Sequence, residues 1–191
     1  MPNTVHELRI TLEDIRPPIW RTCVVPSDIS LAALHRIIQG VMGWEDSHLH
    51  RFEIKGIGYE PLMPGLEREP GTRDTSKYAL GELVTGAGDS FAYQYDFGDN
   101  WVHRIELLKV GPPVNGVKYP TCTDGARACP PEDCGGVGGY EAVLEALAHP
   151  RRKENKEILE WLEPEYDPAA FDLARANRRL GSLRTRRSSR G

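Results

Sequence analysis

Among the side chains able to bind a metal or move a proton, nine candidates fall in three short stretches: His48 and His50 in "HLH", Asp96, Asp99 and His103 in "DFGDNWVH", and Cys122, Cys129, Asp133 and Cys134 in "CTDGARACPPEDC". The thiols are spaced Cys-x6-Cys-x4-Cys, which is not the paired Cys-x2-Cys of a zinc knuckle. Three thiolates on a glycine- and proline-rich loop still suit a soft divalent ion that would order the loop. The expected ion is zinc, held by Cys122, Cys129, Cys134 and His103. His48 and His50 stand behind as alternative imidazoles, with Asp96, Asp99 and Asp133 on the rim. Two other readings of the same residues remain open. The thiols can be unliganded, or a harder ion can sit among Asp96, Asp99, Glu132 and Asp133. For catalysis, His103 is the natural general base, oriented by Asp99 or Asp133 or paired with Cys129 or Cys134 as nucleophile.

The common enzyme signatures are absent. "DFG" resembles the magnesium-binding triplet of protein kinases, but no glycine-rich phosphate loop, strand lysine or His-Arg-Asp segment precedes Asp96. There is no Gly-x-Ser-x-Gly and no His-Glu-x-x-His. The residue types of "DFGDN" fit a tight turn first, with Gly98 expected to supply a positive φ and Asp96, Asp99 and Asn100 to bond their own backbone.

These groups must be positioned by the elements around them. "VHELRITL" alternates apolar and polar, as a half-buried strand does, and "IWRTCVVP" continues as a second strand after a turn at Arg16 to Pro18. Leu31, Leu34, Ile37, Ile38 and Val41 recur at helical spacing, with Ser30 as N-cap and Gly43 as the stop. "HLHRFEIKGIGYE" reads as a third strand, "DSFAYQY" as a fourth and "WVHRIELLKV" as a fifth, separated by a long polar loop over 60–76. Residues 111–140 hold seven glycines and five prolines and predict irregular structure. Helices follow from Tyr140 on, the last of them capped by Asp167 ahead of Pro168. Trp20, Trp44, Trp101 and Trp161 are expected as core anchors. The order predicts an α+β fold: a β-grasp-like mixed sheet crossed by one helix over 1–111, then a Cys-containing loop and helical extension over 112–181, and a disordered basic tail over 182–191.

With 191 residues, 39% of them hydrophobic, one main core is expected. The formal net charge is −4; from Asp172 onward there are seven arginines and one acid, +6, which leaves −10 on residues 1–171. An acidic body argues against a duplex-binding face, so contact with nucleic acid is expected only through the basic tail. No apolar run is long enough to cross a bilayer and "MPNTVHELRI" is not a signal peptide, so the expectation is a soluble, cytoplasmic chain without a membrane partner.

"LHRIIQGVMGW", "HLHRFEI", "YDFGDNWVHRIEL", "CPPEDCGGVGGYEAVLEAL" and "DPAAFDLARANRRL" together resemble the plasmid pRiA4b ORF-3-like family, over roughly residues 4–181. The resemblance implies an α+β core with a helix on a sheet and an origin on plasmids or mobile elements. Some members are labelled resolvase-like passenger proteins of transposons. A serine recombinase needs a nucleophilic serine near its N-terminus and a recognition helix pair. Here the first serine is Ser27, beside Pro26 and Asp28, and no such pair is evident. The expectation is therefore a non-enzymatic binding or accessory module for a protein or small-molecule partner, possessing a metal site. The alternatives are a metal- or histidine-dependent hydrolase or transferase, and a DNA-associated resolvase-like accessory protein.

Overall fold

The computed structural model describes residues 4–63, 65 and 69–188. The chain runs β1 (Val5–Leu12), β2 (Trp20–Pro26), α1 (Leu31–Met42), β3 (His50–Ile54), β4 (Ile57–Glu60), β5 (Arg73–Asp74), α2 (Leu80–Leu83), β6 (Ser90–Tyr95), β7 (Trp101–Gly111), β8 (Thr121–Ala126), α3 (Gly136–Ala148), α4 (Lys156–Trp161) and α5 (Leu173–Ser188). The strands form one sheet in the order β5-β4-β3-β6-β7-β1-β2-β8. All pairs are antiparallel except β4 with β5. The mixed α+β reading holds. The sheet is wider than five strands because "HLHRFEIKGIGYE" is a hairpin, turned by Lys55 at φ 52° and Gly56 at φ 74°, and because the cysteine segment contributes β8.

Cross-strand register shows why the alternating residues share a core. Partners directly opposite in an antiparallel pair project to the same face. Leu12 faces His103, His103 faces Tyr93, Tyr93 faces Phe52 and Phe52 faces Tyr59. One level along, Trp101 faces Tyr95 and Tyr95 faces His50. Toward the other edge, Leu107 faces Leu8, Leu8 faces Cys23 and Cys23 faces Cys122. This face is covered by α1. Ser30 Oγ accepts from Ala33 N, and Gly43 closes the helix at φ 104°, its N–H bonding Gln39 O. The helix α5 packs on α1 where Gly40 meets Leu180 and Leu183.

Several boundaries differ from expectation. Helix α3 starts at Gly136, four residues before Tyr140, and α5 starts at Leu173 with Asp172 Oδ1 accepting from Arg175 N. Asp167 caps only a local turn, through Ala169 N. Helix α5 reaches Ser188, past the point where the basic tail was expected to begin; residues 189–191 lie outside the described residues. Trp161 is 51% exposed and anchors no core. Among the described residues, no helix is long and apolar enough to cross a membrane.

Candidate functional site

Three segments far apart in sequence meet at one end of the sheet: the stretch after α1 from Trp44 to His50, the Asp96–Asn100 turn, and the loop 130–136. Trp44 Nε1 donates to Pro130 O at 3.0 Å, and Glu45 N and Tyr95 Oη both donate to Glu132 Oε1, at 2.7 and 3.0 Å. Burial above all keeps the Tyr95 hydroxyl protonated far beyond neutral pH, so it remains a donor to that carboxylate. Gly135 N donates to Asp99 Oδ2 at 3.1 Å. Gly136, at φ 69°, lies so close to the turn that a Cβ there would stand 2.6 Å from Asp99 O.

The "DFGD" stretch is the turn joining β6 to β7. Its left-handed residues are Asp96, at φ 55°, and Asn100, at φ 58°, whereas Gly98 has no positive φ. Asp96 Oδ1 accepts from Gly98 N at 2.9 Å and Asp99 N at 3.3 Å, which is why short polar side chains serve here. This leaves Asp96 Oδ2 facing His48 Nε2 at 3.7 Å, while Asp133 Oδ1 stands 3.0 Å from the same nitrogen. One ligand atom from each of His48, Asp96 and Asp133 lies within 4.8 Å of the others. His48 Nε2 is buried and has no well-aligned hydrogen bond, despite the short approach of Asp133.

Beneath this trio lies a second polar group. His35 Nε2 is 2.6 Å from Asp46 Oδ1 and its Nδ1 is 2.8 Å from Tyr93 Oη. Gln39 joins them, Nε2 donating to Tyr93 Oη and Oε1 accepting from Asp46 N. The hydrogen bond with His35 leads the effects that hold Asp46 below the usual carboxylate range. His50 stacks on His35 with centroids 3.5 Å apart and planes 6° apart. Burial, then the neighbouring His35, lowers the His50 imidazole to about 3. His35, Asp46 and His50 also offer ligand atoms within 4.8 Å. An ion must lie near the plane of every imidazole that binds it, and two nearly parallel planes 3.5 Å apart share no such point. As stacked, the pair does not chelate one ion between its rings.

The four expected zinc ligands are not gathered. Among the described residues, Cys122, Cys129, Cys134 and His103 contribute to no group of three metal-ligating atoms within 4.8 Å. His103 has no exposed surface. Its Nδ1 faces the carbonyls of Trp101 at 3.1 Å and Tyr93 at 3.3 Å and so carries the proton, while Nε2 has no partner and the edge of the ring pair with Trp44 closes it in. Burial lowers this imidazole to about 4. Burial likewise pushes the Cys129 and Cys134 thiols up to about 12. A charge argument explains the dispersal. Arg21, 1% exposed, sits among Cys129, Cys122 and Cys23 and donates to the carbonyls of Val41, Trp20, Ala126 and Arg127. A fixed guanidinium already supplies positive charge among these thiols, and that charge opposes a second cation there.

Of the expected rim, His48, Asp96 and Asp133 converge, Asp99 is engaged by Gly135, and His50 belongs to the inner stack. His35 and Asp46 carry no metal-type spacing and were not anticipated. The available signal was a polar pair, His35 and Gln39, four residues apart within the apolar stripe of a helix.

The family described as plasmid pRiA4b ORF-3-like protein matches residues 4–175. The chain is 37% identical over 185 residues to an uncharacterized protein y4hQ of Sinorhizobium fredii (strain NBRC 101917 / NGR234), covering 96% of this chain and 94% of that one. A solved structure, the crystal structure of protein of unknown function MM3350 from Methanosarcina mazei Go1, matches with a TM-score of 0.84 at 36% identity, covering 92% of this chain and 97% of that one.

Proposed function

Taking as premise that the chain belongs to the plasmid pRiA4b ORF-3-like family, we propose that it is a non-enzymatic binding module whose His48, Asp96 and Asp133 hold one divalent cation. Zinc suits the mixed imidazole and carboxylate donors, and its remaining coordination positions face a protein or small-molecule partner. The observation that carries this reading is the geometry at His48 Nε2. Two ligands on a tetrahedral ion at about 2.1 Å stand about 3.4 Å apart, with the oxygen well off the axis of the nitrogen. Asp133 Oδ1 and Asp96 Oδ2, at 3.0 and 3.7 Å from that nitrogen, lie on either side of this distance, and neither makes an aligned hydrogen bond to it. Ion binding would also tie together three segments that otherwise meet through few hydrogen bonds.

Three protein ligands match the count of catalytic zinc centres, which favours a hydrolase as the second reading. Against it, His103, the expected general base, has no surface from which to reach a substrate. The test is calorimetric titration of the chelator-stripped full chain with zinc. One equivalent should bind, with binding lost in His48→Ala and Asp133→Asn and retained in Cys129→Ser and Cys134→Ser. The opposite pattern of losses would return the ion to the thiols.

A further inference from the structure

A second constellation, independent of the cation site, involves two of the four cysteines, none of which the site uses. Cys23 on β2 and Cys122 on β8 are register partners in an antiparallel pair. They are 0% and 3% exposed, and the two thiols act on each other's proton, while the Cys122 thiol also donates to Asp124 O at 3.4 Å. The Arg21 guanidinium interacts with both, and every hydrogen bond it makes goes to a backbone carbonyl, none to a carboxylate. A buried cation without an anion stabilises negative charge that develops nearby, and thiolate is the form of cysteine that reacts.

We propose that Cys23 and Cys122 are a redox-active dithiol that closes to an intrachain disulfide on reaction with a soluble disulfide. Cys122 attacks first. The interaction with Cys23 and then the Arg21 charge favour its thiolate, whereas the Cys23 thiol is pushed well up by that same interaction and by burial. The Cys122 thiolate attacks one sulfur of the soluble disulfide and expels a thiolate, which takes up the proton that Cys122 gave up. Cys23 then displaces the second thiol from the mixed disulfide, giving up its own proton to it. In sum, two protein thiols and one soluble disulfide become one protein disulfide and two soluble thiols.

Access comes from the place of β8 in the fold. It is the last strand of the sheet, and its outer side is held by Asn177 of α5, which bonds Cys122 N at 3.0 Å and Cys122 O at 2.9 Å. Fraying of this edge exposes Cys122 before Cys23, which lies one strand further in. Closing the disulfide shifts the strand against that clamp, so the oxidation state acts on the seating of α5.

The experiment incubates the native full chain with oxidised glutathione, quenches with an alkylating agent in denaturant and maps the cysteines by mass spectrometry. The expected result is a loss of two hydrogen atoms, with the Cys23 and Cys122 peptides joined and Cys129 and Cys134 alkylated. In Cys23→Ala, the glutathione adduct should persist on Cys122. Alkylation of both Cys23 and Cys122 in the treated wild type overturns the proposal. So does a disulfide formed through Cys129 or Cys134. The wild-type measurement decides even if the variant fails to fold, and loss of zinc binding at His48 would leave it unaffected.

Discussion

Replacing Gly136 by alanine tests how Asp133 is held. The residue has φ 69°, and an added Cβ would stand 2.6 Å from Asp99 O, a backbone atom that cannot rotate away. The left-handed conformation costs an alanine about 1–2 kcal/mol. Overpacking against a fixed backbone adds about 1–3 kcal/mol, for a total of about 2–5 kcal/mol. Opposing this are four hydrogen bonds that dock the loop, at Pro130 O, at Glu132 twice and at Gly135 N. At roughly 1 kcal/mol each they contribute about 4 kcal/mol, so the substitution removes much or all of the docking. Asp133, three residues upstream, then leaves His48. Even the lower bound of about 2 kcal/mol corresponds to roughly a thirtyfold loss of zinc affinity. Gly135→Ala is the graded control. It has φ 93°, but its Cβ meets nothing nearer than 3.7 Å, so only the conformational cost applies and the loss should be smaller. The assay is zinc titration of both variants, with circular dichroism to show that the fold persists. A folded Gly136→Ala chain that binds zinc as tightly as wild type would refute the placement of Asp133 as a ligand.

Asp96→Asn keeps the Oδ1 acceptor for Gly98 and Asp99 but replaces the carboxylate oxygen that faces His48. Its urea midpoint should change by under about 1 kcal/mol equivalent while zinc affinity falls at least about tenfold; equal losses in both would assign Asp96 to the turn alone. His103 gives a pH signature. Its folded value, about 4, lies below the ordinary 6.5, so between those two pH values the unfolded chain binds a proton that the native chain refuses. Its contribution is present above pH 6.5 and lost as pH falls toward 4. A shift of this size is worth on the order of 3 kcal/mol. Urea denaturation at pH 7 and pH 4.5 should show that loss in wild type and a smaller one in His103→Phe; identical slopes would remove His103 as the cause.

Period-2 alternation placed Leu8, Ile10 and Leu12, and Trp101, His103, Ile105 and Leu107, on the buried face because a sheet covered on one side imposes it. A different repeat, apolar residues every three or four positions, exposed the capped helix from Leu31 to Met42. What composition concealed was β8. "TCTDGA" has little strand propensity, and it is extended because β2 offers it an open edge, a tertiary cause that local pattern cannot carry. The rim residues His48, Asp96 and Asp133 were legible as metal-ligand types clustered near turns. Their assembly was not, since it depends on three loops meeting. The thiol reading failed to anticipate Arg21, a cation in "WRTC" whose neighbours are settled only when β8 and α1 close over it.

Arg21 also pins the middle of the cysteine segment, and this leads to a last prediction. Its guanidinium holds the carbonyls of Ala126 and Arg127, and Trp44 Nε1 holds Pro130 O, so the chain is pinned at three points on its way from Cys122 to Asp133. Lysine keeps the charge but is a compact ammonium with no planar fork, so it cannot reproduce the spread of bonds to Val41, Trp20, Ala126 and Arg127 or the stacking over Phe171. Losing two or three of these bonds and leaving their carbonyls buried costs about 3 kcal/mol or more. Were the effect only on stability, zinc would bind the remaining folded chain with unchanged affinity. Because the pinned segment carries Asp133, Arg21→Lys should weaken zinc binding in the folded fraction as well. Leu80→Ala, a core truncation on α2 away from that segment, should destabilise comparably and leave zinc affinity intact. If both variants bind zinc like wild type, the thiol-lined arginine stabilises the sheet edge and has no part in placing the carboxylate.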